Sequence, residues 1–401
     1  MNVAGIIVEY NPLHEGHVHL LRETRRLLGA DTAILCCMSG DFVQRGDFAL
    51  LRRSARAKAA VESGADLVVE LGLPWATASA EDFARGGVET LLASGLLTHL
   101  AFGSECGDSK ALLRVAAALE DEDFSRLLRR ELEAGDSFPA ARQRALAKRL
   151  PGDAALLESP NNTLGVEYCK ALLRAGADVE VLTIPRLGAA HDAPEASGGT
   201  ASASAIRALL KAGERDKALP LMAPAMKAAY LKEEQAGRAP VFLETSERAI
   251  LAKLRSMGEE DFAALDLGKE GLYHRLYRAS RTAPTLEALL FAAKTRRYAY
   301  VRLRRMVLWA YLGLAPGELP QSPAYLRPLA ANERGRALLS RMRKEAQLPI
   351  LTKPAAVGRL GPEAQRQFAL ESAAADLYSL GFPDLTAAGG DALFREGLIL
   401  V

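Results

Sequence analysis

Val3-Ala4-Gly5-Ile6-Ile7-Val8-Glu9-Tyr10-Asn11-Pro12-Leu13-His14-Glu15-Gly16-His17-Val18-His19-Leu20 reads as an apolar strand that breaks at Asn-Pro and enters a helix through His-x-Gly-His. A continuous apolar run suits a strand covered on both faces, and proline ends it because it lacks the amide hydrogen that a ladder needs. The His-x-Gly-His segment places two imidazoles and a glycine at a helix N-terminus, where unpaired N–H groups and the helix dipole favour phosphate. His14 and His17 lie three residues apart, so they share one helix face and can donate to phosphate oxygens or to charge that builds during displacement. Gly16 leaves room for a ribose or a base against the backbone. The plain alternative is a helix start and nothing more. Its place directly after the first strand favours a nucleotide site.

Strand-like runs recur at 3–10, 32–38, 67–71, 97–103 and 179–184, with helical segments between them. This alternation predicts an α/β fold, a Rossmann-like parallel five-stranded sheet flanked by helices. Such sheets bind ligands at the carboxyl ends of their strands. Segments 11–17, 39–46, 72–74, 103–105 and 185–188 each follow a strand, so independent loops are expected to converge on one edge. Residues 104–178 read as mainly helical, too long for a simple crossover, and imply a helical insertion. It ends at Ser159-Pro160-Asn161-Asn162, a helix-start cluster before the amphipathic 164–173. The Gly/Ala/Pro-rich 185–200 reads as a mobile loop. Beyond it the pattern becomes helices broken by proline, with strand character near 349–353 and 397–401. Two domains are expected: 1–215, with an insertion at about 104–178, and a mainly α-helical 216–401.

With 401 residues the chain can bury a sizeable core, and Lys+Arg 51 against Asp+Glu 49 excludes a polycation. Any nucleic-acid affinity must come from local clustering. Cys36, Cys37, Cys106 and Cys169 form no CxxC pair and no metal spacing with the six histidines, which implies reduced thiols. Glu9 and His14 stand where a signal peptide would need a longer apolar run, and no stretch approaches about 20 apolar residues. A cytoplasmic protein with no membrane partner is the expectation; oligomeric state is left open.

Ser202-x-Ser204-x-x-Arg207 is a second phosphate signal. Hydroxyls and free N–H groups at a helix start can hold phosphate, and a guanidinium one turn on adds a bidentate fork. Alone it would pass for an ordinary cap. Gln44-Arg45-Gly46-Asp47 either orients a substrate or forms a surface turn in which Arg45 and Asp47 pair. Asn161 and Asn162 can bind a nucleoside or merely cap a helix. Glu9 is a weaker candidate for the site, and His191-Asp192 is set aside because adjacent side chains seldom face one another. From Arg275 to Arg305, Arg275, Arg278, Arg281, Lys294, Arg296, Arg297, Arg302, Arg304 and Arg305 alternate with Tyr273, Tyr277, Tyr298 and Tyr300. Guanidinium groups bind phosphate and rings stack on unpaired bases, so this is the best nucleic-acid signal; the bland reading is a solvated helix face.

The pairing of His-x-Gly-His with Ser-x-Ser-x-x-Arg resembles the HIGH-type nucleotidyltransferase superfamily. More closely, Val8 to His17, Met38-Ser39-Gly40-Asp41-Phe42-Val43-Gln44-Arg45-Gly46-Asp47, Ser159-Pro160-Asn161-Asn162-Thr163-Leu164-Gly165-Val166-Glu167-Tyr168 and Lys294-Thr295-Arg296-Arg297-Tyr298 resemble the bacterial tRNA(Met) cytidine acetate ligases. The resemblance implies an enzyme that joins acetate to ATP, releases pyrophosphate, and passes the acetyl group to the wobble cytidine of elongator tRNA(Met), giving N(4)-acetylcytidine. It implies ATP contacts along 7–20 and at Gly103, Asn161 or Asn162, and Arg186, joined by Ser202 and Ser204. His14, His17 and Arg207 would be catalytic, and Mg²⁺ would accompany ATP with ligands that the chain does not reveal. Arg275, Arg278, Lys294, Arg296, Arg297, Tyr298, Arg302 and Arg305 would face tRNA. The chain departs from the family pattern at Asp41, in place of Asn, and at Asp47-Phe48, in place of Glu-Pro; the added acid would meet Mg²⁺ or water.

Acetate is already an anionic nucleophile, so its adenylation needs fixed donors rather than a base. The acylated amine must lose a proton, to a carboxylate or phosphate oxygen. Two rivals remain: a small-molecule adenylyltransferase, which leaves the basic segment unexplained, and a non-catalytic ATP-binding RNA-associated protein.

Overall fold

Apolar residues at alternating positions bury both faces of the central strands. β1 (Val3–Val8), β2 (Ala33–Ser39) and β3 (Leu67–Leu71) are buried at every position. Ile7, Leu35, Cys37 and Val69 face one core, and Ile6, Val8, Ile34, Cys36 and Val68 face the other, as the two-residue period of a strand requires. β4 (His99–Ser104) and β5 (Glu180–Pro185) complete the five parallel strands that the pattern predicts. The structure, a computed structural model, describes residues 1–134, 137–186, 201–265, 271–295 and 298–401.

The sheet has seven strands, in the order β5–β4–β1–β2–β3–β6–β7. β6 (Pro328–Ala331) pairs antiparallel to β3, and β7 (Ile399–Leu400) runs parallel to β6. The expected strand near 349–353 is instead a single bridge between Ile350 and Leu326. The helical segment after 215 therefore also extends the first sheet. Four buried residues of Pro-Leu-Ala-Ala carry too little periodicity to be read as a strand; pairing across more than 250 residues of chain creates it.

Strand order switches direction at β1, whose neighbours are β2 and β4, so a crevice opens there at the carboxyl ends of the strands. Residues 104–178 hold the helices Ser109–Leu119, Glu122–Glu133, Phe138–Arg149 and Pro160–Ala175, the last of which packs against β4 and leads into β5. Gly165 lets it approach: a Cβ there would sit 2.6 Å from the Phe102 ring. The later helices pack onto the first half. Trp309 Nε1 donates to Thr77 Oγ1 (2.9 Å) and the Tyr378 hydroxyl to the Ala49 carbonyl (2.9 Å). All four cysteines are free thiols, and burial pushes Cys36 up to about 12. Among the described residues no helix is long and apolar enough to cross a membrane.

Candidate nucleotide-binding site

β1 ends in a loop held from several sides. Tyr10 takes a left-handed φ of 48° and is buried with its hydroxyl 3.6 Å from Cys36 Sγ. Asn11 Oδ1 accepts from the Leu50 amide (2.7 Å) and from Arg207 Nη1 (3.0 Å). Arg56, on the helix Arg53–Glu62, donates to the carbonyls of Glu9 (2.5 Å), Ser39 (3.0 Å) and Leu51 (3.0 Å), fixing the ends of β1 and β2 together. The loop's shape is thus set before any ligand arrives.

His14 caps the helix Glu15–Leu28. Its Nδ1 accepts from the Gly16 amide (3.1 Å), and His17 Nδ1 accepts from the His14 amide (3.3 Å). A neutral ring whose Nδ1 accepts carries its hydrogen on Nε2, so this cap sets both tautomers. The two rings lie 3.9 Å apart between centroids. The helix cap and two rings of the cleft wall are here the same residues.

These rings line a cleft of about 840 Å³ that also takes in Gly103, Asn161, Arg186, Ser202, Ser204 and Arg207. Two motifs some 190 residues apart in sequence therefore meet. Ser202 is an N-cap, its Oγ accepting from the Ala205 amide (3.1 Å), and it reaches the cleft as well. Ile7, Val8, Glu9, Tyr10, Asn11, Gly16, His19 and Leu20 line the same space.

Other members of the expected set lie elsewhere. Pro12 and Leu13 are buried beneath the loop, Val18 packs against the core, and Glu15 faces solvent, paired with Arg22 (2.7 Å). Asn162 is turned from the cleft: its Oδ1 accepts the amides of Glu105 (3.0 Å) and Cys106 (3.1 Å). Glu105 answers by accepting the Asn162 amide (2.8 Å) and Asn161 Nδ2 (2.6 Å), an acid at a helix N-terminus. Asn161 Oδ1 in turn accepts from Arg186 Nη1 (3.1 Å). Of the two asparagines, Asn161 has the cleft position and Asn162 ties the helix to β4.

The acids settle differently from expectation. Asp41 does not face water; it is buried against Arg53, accepting hydrogen bonds from its amide (2.8 Å) and Nε (3.0 Å). Asp47 pairs with Arg207 (2.8 Å) and Arg304 (2.7 Å) rather than forming a surface turn with Arg45. Burial alone would raise its carboxyl, but the two guanidinium groups hold it below the usual carboxylate range. Glu9 accepts the Gln44 amide (2.7 Å), and burial raises its pKa. Among the described residues no three His, Cys, Asp or Glu side chains are grouped to hold a metal.

A family model described as HIGH Nucleotidyl Transferase matches residues 1–391. The tRNA(Met) cytidine acetate ligase of Acetivibrio thermocellus is 37% identical over 418 residues, covering 100% of both chains. This chain belongs to the tRNA(Met) cytidine acetate ligase family. The ligase of Kosmotoga olearia is 36% identical over 411 residues, covering 96% of each chain. Among solved structures, Thermotoga maritima TmcAL bound with alpha-thio ATP superposes with a TM-score of 0.93 at 31% identity, and its apo form with 0.94 at 32%, each covering 100% of both chains.

In this acetate ligase family member the basic segment is only partly an open face. Arg275 donates to the carbonyls of Ala292 and Ala293 (both 3.1 Å), capping the helix Leu286–Ala293. Arg281 is spent on the carbonyls of Arg255 (2.6 Å) and Met257 (3.1 Å). Tyr298 is buried, out of stacking reach of a base, with the Arg302 guanidinium 5.4 Å from its ring centre. Arg305 is half-buried, Arg278 is exposed, and Lys294 lies 6.0 Å from the Tyr300 ring. Arg296 and Arg297, like His191, Asp192 and most of the 185–200 loop, lie outside the described residues. Composition marks a basic cluster but not which cations close helix ends. Arg304, Tyr300 and Lys211 also line the cleft, which the sequence pattern does not reveal, because helix periodicity carries no sign of what a side chain meets in a distant part of the chain.

Proposed function

We infer that this protein condenses acetate with ATP and transfers the acetyl group to N4 of the wobble cytidine of elongator tRNA(Met). The observation that carries this reading is the meeting of His14, His17 and Arg207 in one cleft, in a chain of the ligase family. An acetate oxygen attacks the α-phosphorus, the bond to the β-phosphate oxygen breaks, and pyrophosphate leaves. Charge grows on the phosphoryl oxygens and the leaving group, and His14, His17 and Arg207 in the cleft wall are the donors that would meet it. The cytidine amine then attacks the acetyl carbon, AMP departs, and the amine gives up a proton.

The three carboxylates at the cleft are already engaged, Asp47 by two arginines, Glu9 by a backbone amide and Glu158 by Gln143 Nε2. That fits Mg²⁺ entering on the nucleotide, coordinated by phosphates and water, rather than residing in a cage of side chains. Where such a cation supplies charge at the phosphates, the chain's own residues orient the triphosphate. A tRNA substrate supports a cytoplasmic location.

Purified protein incubated with ATP, Mg²⁺, labelled acetate and total bacterial tRNA should place label in N(4)-acetylcytidine. ATP binding without label in cytidine would overturn the reading. Acetate-dependent exchange of pyrophosphate into ATP by a protein that leaves every tRNA in the mixture unlabelled would instead favour a small-molecule adenylyltransferase. On the RNA side, Arg278→Ala combined with Lys294→Ala should leave exchange intact, weaken transfer to tRNA, and flatten the salt dependence of RNA binding by a log–log slope of about 2. Equal loss of exchange and transfer would contradict a division of labour between cleft and basic face.

A further inference from the structure

Loop 44–47 rests directly on the start of the helix Tyr300–Leu312. Gly46 makes this possible, with φ 70° and no side chain. A Cβ there would lie 2.6 Å from the Arg305 nitrogen and 2.7 Å from the Arg304 carbonyl carbon. The contact brings Arg304 into the cleft wall. Its Nε donates to the Gly46 carbonyl (3.3 Å), and its Nη2 lies 2.7 Å from Asp47 Oδ2, the oxygen that also takes Arg207 Nη2 at 2.8 Å. Asp47 Oδ1 is occupied by the amides of Phe48 (2.8 Å) and Leu243 (3.1 Å).

One carboxylate thus stands between two guanidinium groups, and the trio carries a net positive charge. The Arg304 Nη2 contact lacks hydrogen-bond alignment, so this buried nitrogen keeps its N–H groups unspent although it sits within ion-pair distance. A buried guanidinium nitrogen whose ion pair lacks an aligned hydrogen bond retains donor capacity that a further oxygen can take. The wall it occupies is shared with His14, His17 and Arg207.

We propose that Arg304 is a catalytic residue of the adenylation step, an arginine lent by the helix Tyr300–Leu312 that grips the triphosphate and departing pyrophosphate beside Arg207. Asp47 is the anchor that keeps the two like charges side by side until phosphate oxygens arrive. This deepens the ATP-site reading and rests on it. Because Arg302 and Arg305 belong to the same helix, the basic segment and the phosphate site are built on one rigid element.

The test is acetate-dependent ATP–pyrophosphate exchange by the full chain without RNA, together with calorimetric binding of inorganic pyrophosphate. Arg304→Gln should raise KM for ATP at least about tenfold, lower kcat about 100-fold and weaken pyrophosphate binding, with Arg304→Lys intermediate because it keeps charge but not the fork. A purely structural arginine would lower the melting temperature and leave these constants alone. Unchanged KM, kcat and pyrophosphate affinity in Arg304→Gln overturn the proposal. Should that variant fail to fold, Arg304→Lys decides: a raised KM for ATP sustains the contact, and unchanged constants overturn it. Absence of exchange in the unmutated chain is a different result, which removes the ATP-ligase reading and this proposal with it.

Discussion

Replacing His14 with alanine is expected to lower acetate-dependent ATP–pyrophosphate exchange by about 10²- to 10³-fold, the usual cost of deleting one donor aimed at developing charge. Two effects combine at this residue. The ring supplies the Nε2–H, and its Nδ1 caps the helix Glu15–Leu28 by accepting the Gly16 amide. Loss of the cap adds about 1 kcal/mol of destabilisation, which is too little to account for the catalytic loss. His14→Asn separates the two, because asparagine also caps well but cannot reach with a ring nitrogen. Exchange should fall with Asn nearly as far as with Ala, while the denaturation midpoint stays close to that of the unmutated protein. Exchange within about threefold of the unmutated rate in a folded His14→Ala variant would remove His14 from the chemistry.

Arg53→Ala is expected to be the most destabilising single change of this set, by about 3–5 kcal/mol, because it strands buried carboxylates. The Arg53 side chain is 4% exposed and lies between Asp41, which accepts its Nε at 3.0 Å, and Glu70, which accepts its Nη1 at 2.7 Å. Glu70 has a second partner in Arg327 at 3.3 Å, just ahead of β6. Beside them burial and the neighbouring Glu70 push Glu371 up to about 7, so a third carboxyl in this pocket resists ionisation. Removing Arg53 leaves Asp41 and Glu70 with one guanidinium between them, across an edge where helix Arg53–Glu62, β3 and the later half of the chain meet. Urea denaturation followed by circular dichroism reads the change. A loss under about 1 kcal/mol would mean that the carboxylates reach water or protonate at little cost, and the network would not be what joins the halves.

Local pattern sufficed wherever a short segment dictates its own dihedrals and burial. The apolar runs of β1, β2 and β3 could be recognised because both faces of a central parallel strand are covered. The turn from Val8 through His14 was legible because proline and a capping side chain act on neighbouring residues. The family motifs were legible for the same reason, being contiguous.

Tertiary structure decided what depends on distant partners. Whether Asn161 or Asn162 faces the cleft is a matter of helix rotation against β4, and the two side chains are chemically alike. Which arginines of the basic segment remain open depends on which helix ends need closing, as Arg275 and Arg281 show. Asp47 in sequence is an acid in a polar turn. In space it is flanked by arginines about 160 and 257 residues further on, and its charge state follows from them. The strand Pro328–Ala331 has no periodic signature of its own and exists because the edge of β3 offers it hydrogen bonds. A residue's local conformation is governed by neighbours within a few positions, whereas its electrostatic partners are set by packing of elements whose separation along the chain leaves no mark on either segment.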